Sequence, residues 1–238
     1  MIADTAMEEL KRLGNRELAA HHHRYFQCFE GGYGDINDEF CGARAPDLRR
    51  LVKKYRTSAT YEDIEALISH RLHEARLFAA CALAEKYARG DAVGRKRIVD
   101  FYLKHTPFLN NWDLVDIAAY KILGRWCREK EDYSILRRLS GSKNLWEQRI
   151  GMVATWWPTH EGDFAPALEL AERFLGHKHD LMHKAAGWML REVGKRGEAG
   201  RRALLEFLDR HHRIMPRTML RYSIERLEPA LRKRYMGK

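Results

Sequence analysis

A tryptophan and an aspartate are spaced for joint chemistry on one helix. Trp112 and Asp116 lie one turn apart, at the border of the apolar stripe of a helix predicted over residues 111–127. We interpret Asp113 as an acid that caps the first turn, whereas Asp116 lies beyond that turn, so capping does not explain it. A carboxylate beside an indole at the edge of a groove is either an ion-pair partner or a catalytic group, and the spacing leaves both open.

A second tryptophan lies among basic residues. Trp188 falls about 110° from the centre of the apolar stripe of a helix predicted over residues 181–195. The same face carries Lys184, Arg191 and Lys195. Because burying an indole is favourable, one outside the stripe either packs against a neighbouring repeat or offers an aromatic platform beside cations that bind phosphates.

An arginine lies on the apolar side of a third helix, predicted over residues 145–157. Arg149 falls between Leu145 and Val153 on that side. A buried arginine needs an anionic partner. Asp116, on the corresponding helix one repeat earlier, is the structural candidate for that partner, and a DNA phosphate is the functional candidate.

These residues are carried by a chain that reads as helical almost throughout. Amphipathic segments follow one another, separated by Gly, Pro, Asn or Asp, and strand-like alternation is nearly absent. One long loop, residues 31–45, is marked by four glycines, and the last helix is expected to break near Pro229. Helices are predicted over residues 4–28, 46–56, 61–69, 73–89, 92–105, 111–127, 131–140, 145–157, 164–175, 181–195, 199–211 and 216–234.

A two-helix unit recurs along the chain. The segments that begin at Asn110, Asn144 and Asp180 open alike and start 34 and 36 residues apart, and His73-Glu-Ala-Arg76 begins 37 residues before the first. In the first two segments an Asn at the N-cap is followed three residues later by an acid, which resembles a capping box. A repeat of this length predicts an all-α fold, an α-solenoid of HEAT-like helical repeats that forms a single domain over residues 1–238 with a concave binding surface.

The positive charge is concentrated near the end of the chain. The formal net charge is +10, and residues 178–238 hold 16 Lys and Arg against 7 Asp and Glu. This asymmetry indicates a polyanionic partner such as nucleic acid or acidic lipid, and the alternative is a solvated basic surface without a partner.

Several classes of protein are excluded by what the sequence lacks. The longest apolar run, Leu77–Ala84, has eight residues, too few for a membrane span of about 20 residues. The four cysteines are scattered without a CxxC pair, and no nucleotide-binding glycine motif is present. We therefore expect a reduced cytoplasmic protein with no metal site, no nucleotide cofactor and no membrane partner.

Five stretches, in order along the chain, resemble one known family. This family is the HEAT-like repeat DNA alkylation repair enzymes, which are bacterial alkylpurine DNA glycosylases. Each stretch is short, and their order and repeat spacing give the resemblance its specificity. The stretches are Phe40–Arg49, Asn110–Asp116, Asn144–Arg149, His183–Glu192 and Met215–Tyr222.

The resemblance implies roles for the residues singled out above. It places Trp112, Asp116, Arg149 and Trp188 in a catalytic cleft. It implies DNA contacts from the basic face of helix 181–195, from an N-terminal tyrosine near the lesion, and from the first and last matching stretches. One departure is an arginine where some members have a glutamine, in a loop that is longer here over residues 31–41. The expected DNA-binding residues are Lys184, Arg191, Lys195, Arg44, Arg217 and Tyr25.

The implied activity is hydrolysis of the N-glycosidic bond of N3- or N7-alkylated purines in double-stranded DNA. Such a purine is cationic and already a good leaving group, so strong protonation is not needed. An ionised Asp116 would stabilise the oxocarbenium-like sugar and position water, without a metal or organic cofactor. We expect a monomer that holds the lesion in the duplex. The alternative is a non-catalytic HEAT-like protein that binds DNA structures or serves as a protein scaffold, and an RNA-binding solenoid is a weaker third reading.

Overall fold

The protein is all-α in the computed structural model, which describes residues 1–237. Over that range no strand forms, and the one β-bridge joins Glu39 to Leu72. The all-α class is thereby confirmed, with helix pairs that follow one another as in an α-solenoid. The chain forms two compact units, the first over Met1–Ile122 and the second from Leu123 onward. The single domain and the concave DNA-binding groove stay predictions.

The first unit contains seven α-helices and one 3-10 turn at Thr106–Phe108. Its centre is α5, which packs against α3, α4 and α7. The helices are α1 (Ile2–Arg12), α2 (Arg16–Tyr25), α3 (Ala45–Tyr55), α4 (Tyr61–Ile68), α5 (His73–Arg89), α6 (Ala92–Lys104) and α7 (Trp112–Ala119).

The second unit contains the remaining nine α-helices of the described chain. Its centre is α13, which packs against α10, α12, α14 and α15. The helices are α8 (Arg125–Lys130), α9 (Ser134–Ser140), α10 (Leu145–Ala154), α11 (Trp156–His160), α12 (Ala165–Arg173), α13 (Asp180–Gly194), α14 (Gly197–His211), α15 (Arg217–Ser223) and α16 (Pro229–Met236).

Three predicted helices were too long. The helix predicted over residues 4–28 is two helices, because the Asn15 side chain accepts the Leu18 amide and begins α2 as an N-cap. The helix predicted over residues 145–157 ends at Ala154. Pro158 has no amide proton, and its ring would meet the carbonyl of Ala154, four residues earlier, so a separate helix begins at Trp156.

The helix predicted over residues 111–127 is also interrupted. A five-residue π-helical segment, Tyr120–Gly124, separates α7 from α8. A Cβ atom on Gly124 would lie 2.3 Å from the Ala154 carbonyl oxygen, so a residue without a side chain allows this approach of α10. The expected break near Pro229 is confirmed, because residues 224–228 separate α15 from α16.

Candidate functional site

The N-terminus of α7 places the first pair of candidate residues. The predicted core stripe, Val115, Ala118, Ala119 and Ile122, is buried, and Leu114 is buried as well. Trp112 and Asp116 are half-buried at its border. The N-cap is Asn111, whose side chain accepts the Trp112 amide at 2.9 Å, so the prediction of an N-cap at Asn110 was wrong. In the next repeat Asn144 does cap α10, as predicted.

Trp112 and Asp116 line a cavity of about 360 Å³ in the first unit. The cavity wall is mostly apolar, and Leu48, Leu77 and Ile117 contribute to it. A carboxylate beside such a wall acts through a lower effective dielectric than one in open water, so its effect on nearby positive charge is strengthened. The cavity can therefore hold an apolar or cationic group close to an aspartate.

Two further aromatic rings lie beside the indole of Trp112. Tyr25, at the end of α2, is 53% exposed, and its ring centroid lies 5.8 Å from that of Trp112, edge to face. The buried ring of Phe26 lies 5.5 Å from Trp112. The structure thus brings together Tyr25 and Trp112, two residues that were selected from distant parts of the sequence.

Asp113 does not act as the helix-capping acid that the sequence predicted. Its carboxylate instead lies 2.9 Å from Nε2 of His73, the first residue of α5. The other ring nitrogen of His73 lies 3.2 Å from Asp38, and Arg76 donates to Asp38 at 2.5 Å. His73, Arg76 and Asp38 are all buried, and together with Asp113 they form what we call the His73 cluster.

The His73 cluster was missed by sequence reasoning. The available signal was that His73 and Arg76, which open the repeat segment at residue 73, are two basic residues on a helix face that must be buried. Burial lowers the pKa of His73, but the charge and hydrogen bond of Asp113 and the hydrogen bond of Asp38 outweigh burial and raise it to about 9. For Asp38, an acid, burial acts in the opposite direction and raises the pKa. Hydrogen bonds from His73 and Arg76 outweigh burial and bring the pKa of Asp38 below its ordinary value.

In the second unit, Arg149 is buried on α10, as its position on the apolar side predicted. Its Nη1 donates to the carbonyl oxygen of Leu181, on α13, at 2.7 Å. This bond ties α10 to α13. Neutralisation of Arg149 by Asp116 or by a DNA phosphate stays a prediction.

Trp188 is half-buried on α13. The six residues assigned to the apolar stripe of this helix are all buried, namely Leu181, Ala185, Ala186, Met189, Leu190 and Val193. The basic residues around it are in ion pairs. Lys184 pairs with Asp180 at 2.7 Å, Lys195 with Glu192 at 2.9 Å, and Arg191 with Glu225. The positive charge expected around Trp188 is therefore partly balanced within the protein.

The second unit also has a larger concavity, of about 830 Å³. The basic side chains that line it are less neutralised by carboxylates than those around Trp188. Arg221, Arg232 and Lys233 on α15 and α16 line it and are exposed. Within residues 1–237 none of the three forms an ion pair with a carboxylate, although Glu225 also lines the concavity. Of the other expected DNA-binding residues, Arg44 pairs with Asp47 at 3.1 Å and Arg217 donates to the Met236 carbonyl at 3.2 Å.

Metal-binding clusters and membrane-spanning helices are both absent from residues 1–237. Among these residues, no group of three His, Cys, Asp or Glu side chains is placed to hold a metal ion. No helix in this range is long and apolar enough to cross a membrane.

Comparison with known protein families gives one match. A family model described as "DNA alkylation repair enzyme" matches residues 6–227. A solved structure described as "Predicted DNA alkylation repair enzyme from Enterococcus faecalis" is 18% identical, with 91% of this chain and 97% of that chain covered and a TM-score of 0.68. At this identity the likeness shows a shared fold. No curated protein matches the chain.

Proposed function

Because the chain belongs to the DNA alkylation repair enzyme family, we propose that it is a monofunctional DNA glycosylase, which hydrolyses the N-glycosidic bond of N3- or N7-alkylated purines in duplex DNA. The observation that carries this proposal is the joint position of Trp112 and Asp116. Both project from α7 at the wall of a mostly apolar cavity, with Tyr25 beside the indole.

Cleavage of this glycosidic bond depends on stabilisation of positive charge more than on proton transfer. An alkylated purine carries its own positive charge and leaves as a neutral base. As its bond to the sugar breaks, positive charge develops on the deoxyribose, as in glycoside hydrolysis. The Asp116 carboxylate stabilises that charge and positions the attacking water, and the indole of Trp112 offers its electron-rich face to the cation.

The second unit contributes the remaining roles. Catalytic roles for Arg149 and Trp188, on α10 and α13, are part of the same proposal and rest on the family resemblance. The basic side chains of α13, α15 and α16 bind backbone phosphates. DNA contacts from Arg44 and Tyr25 belong to the same proposal.

The deciding experiment is a base-release assay. Purified protein is incubated with methylated duplex DNA, and free 7-methylguanine and 3-methyladenine are separated and quantified. Release of either base supports the proposal. Binding to undamaged or branched DNA without base release would support the non-catalytic alternative.

One prediction concerns the concavity lined by α15 and α16. Arg232→Ala combined with Lys233→Ala should reduce the log–log salt dependence of duplex DNA binding by about 0.9 for each DNA phosphate that the variant no longer neutralises. The reason is that no carboxylate within residues 1–237 forms an ion pair with these two cations before DNA arrives.

The matched control is Arg137→Ala combined with Arg201→Ala. Arg137 and Arg201 pair with Glu169 and Glu228 at 2.7 Å, so this variant removes the same formal charge from the same unit. Affinities are measured by fluorescence anisotropy over a range of salt concentrations. Equal slopes for the two double variants would mean that the concavity has no particular role in phosphate binding.

A further prediction separates packing from function at Trp188. Trp188→Ala should lower excision strongly, yet lose less stability than the roughly 3–5 kcal/mol of a core Trp→Ala. The reason is that Trp188 is half-buried outside the apolar stripe. Trp146→Ala, at a tryptophan that is only 8% exposed, is the control that should show the full core loss. Thermal melting and base release are measured on both, and equal losses of stability would make Trp188 a core residue.

A further inference from the structure

Both ring nitrogens of His73 face carboxylates. Nδ1 lies 3.2 Å from Asp38, and Nε2 lies 2.9 Å from Asp113. An ionised carboxylate accepts hydrogen bonds and donates none, so both contacts are satisfied only when both ring nitrogens carry protons. Arg76 Nη2 also lies near Nδ1, at 3.3 Å, but both carboxylate contacts are shorter. The geometry therefore favours an imidazolium, although the side chain is only 1% exposed.

The His73 cluster joins three separate segments of the first unit. Asp38 belongs to the loop between α2 and α3, His73 and Arg76 to the first turn of α5, and Asp113 to the first turn of α7. Two cations and two carboxylates balance each other, which is the condition under which buried charges are tolerated. Because removal of one partner leaves an uncompensated charge, the cluster holds these segments in one arrangement.

Asp113 lies between the two candidate residues of α7. Trp112 precedes it and Asp116 follows one turn later, so an anchor at Asp113 fixes the direction in which both side chains leave the helix. Aromatic rings reinforce the anchor. Phe26 stacks on the His73 ring at 4.7 Å and also lies 5.5 Å from Trp112.

We propose that His73 is a positioning residue, which as an imidazolium anchors Asp113 and thereby fixes Asp116 and Trp112 at the cavity. This inference rests on the proposed glycosylase function for its catalytic consequence. His73 also lines the cavity, although only 1% of it is exposed. It acts through the first turn of α7.

The charge on His73 gives the anchor a defined pH range. Its pKa is raised to about 9, so the stability it contributes is complete below about pH 6.5 and is lost as the pH rises through about 9. The charged groups that face the ring are Asp38, Asp113 and Arg76. The nearby Cys28 thiol, whose pKa burial raises to about 12, stays neutral throughout that range. The other charged or titratable groups that line the same cavity are Asp116, Glu74, Arg49 and His22, and His22 lies 3.6 Å from the buried Glu74.

The test compares His73→Gln with wild type in single-turnover excision of 7-methylguanine, measured from about pH 6 to pH 10. Wild type should lose rate as the pH rises through the pKa of His73. The variant should be at least about tenfold slower near neutral pH, because small misplacements of reacting groups are costly, and it should lack the alkaline fall. Affinity for undamaged DNA should be unchanged. A wild-type rate and pH profile in the variant would overturn the proposal.

His105→Gln is the matched control. His105 is another buried histidine of the first unit, 3% exposed, with its Nε2 3.1 Å from Glu65 and its Nδ1 2.7 Å from the Phe101 carbonyl. Its loss should lower stability but leave the alkaline limb of the excision profile in place. An equal effect of both variants on that limb would reduce His73 to a general stability role.

A second measurement is independent of activity and of the folding of the His73 variant. Nitrogen-15 NMR of the wild-type His73 ring should show both nitrogens protonated near neutral pH, and Asp113→Asn should lower the pKa of that ring and shift the indole N–H signal of Trp112. A neutral ring, or an unchanged Trp112 signal, would overturn the proposal. If wild type released no base, the proposed function would fail, and these NMR results would still decide whether His73 anchors α7.

Discussion

We expect Asp116→Asn to reduce excision of alkylated purines by at least roughly tenfold, equivalent to about 1.4 kcal/mol in the activation barrier, while folding and binding of undamaged DNA stay nearly intact. Asparagine preserves the size and hydrogen bonding of the side chain but carries no negative charge. It therefore cannot offset the positive charge that develops on the sugar. A group that is felt mainly in the transition state changes kcat more than it changes binding.

The size of the Asp116→Asn effect should depend on the leaving base. N7-alkylguanine should be affected less than a base that is held more firmly, because its own charge already weakens the glycosidic bond. Single-turnover base release from DNA that carries one lesion type measures each rate.

Asp100→Asn is the control for this prediction. Asp100 is an exposed carboxylate on α6 that pairs with Lys96 at 2.6 Å, so its replacement makes the same chemical change away from the cavity. If Asp116 serves instead as the partner of a buried cation, its loss costs about 3–5 kcal/mol of stability. A large fall in melting temperature with a proportionate loss of activity would favour that reading. Normal excision by a folded Asp116→Asn protein would remove the catalytic assignment.

Gly187→Ala should destabilise the protein by about 1–3 kcal/mol, as overpacking of a close helix contact does. A Cβ atom at Gly187 would lie 2.5 Å from the Met219 carbonyl oxygen and 2.6 Å from the Cβ of Tyr222, so α15 would have to move away from α13. The backbone oxygen has no alternative rotamer, and the strain spreads into the packing of the two helices. Since Gly187 precedes Trp188, excision should fall together with stability.

Thermal denaturation measures this effect, at roughly 2–4 °C of melting temperature for each kcal/mol in a domain of this size. Gly176→Ala is the matched control, because a Cβ atom there meets nothing within 4 Å. It should stay within about 0.5 kcal/mol of wild type. A Gly187→Ala protein as stable as the control would show that α13 and α15 adjust to the added methyl group at little cost.

The sequence predicted most of the helices because helical periodicity is a local property. The helix predicted over residues 73–89 is observed with the same bounds. All six residues of the predicted stripe of α13 are buried, and Met182, Gly187 and Glu192 are buried in addition. The half-buried positions of Trp112, Asp116 and Trp188 followed from the same arithmetic. These residues could be selected because an aromatic or acidic side chain outside a stripe departs from a simple packing pattern.

What the sequence did not reveal depends on contacts between distant segments. Asp38 meets His73 only because the loop after α2 lies alongside the start of α5. There the backbone of Glu39 forms hydrogen bonds with the backbone of Arg71 and His73. Periodicity carries no information about such a loop. The π-helical segment that ends at Gly124 was not predicted for the same reason. It depends on the approach of a helix some thirty residues later in the chain.

Glu192 holds three basic side chains of the second unit in place. This buried carboxylate lies 2.9 Å from Lys195, 3.5 Å from Arg196 and 3.6 Å from Arg191. Long basic side chains ordinarily lose conformational freedom when they bind, at about 0.5–1.5 kcal/mol each. Here much of that ordering is completed when the chain folds, so the side chains around one end of α13 are preorganised before a polyanion arrives.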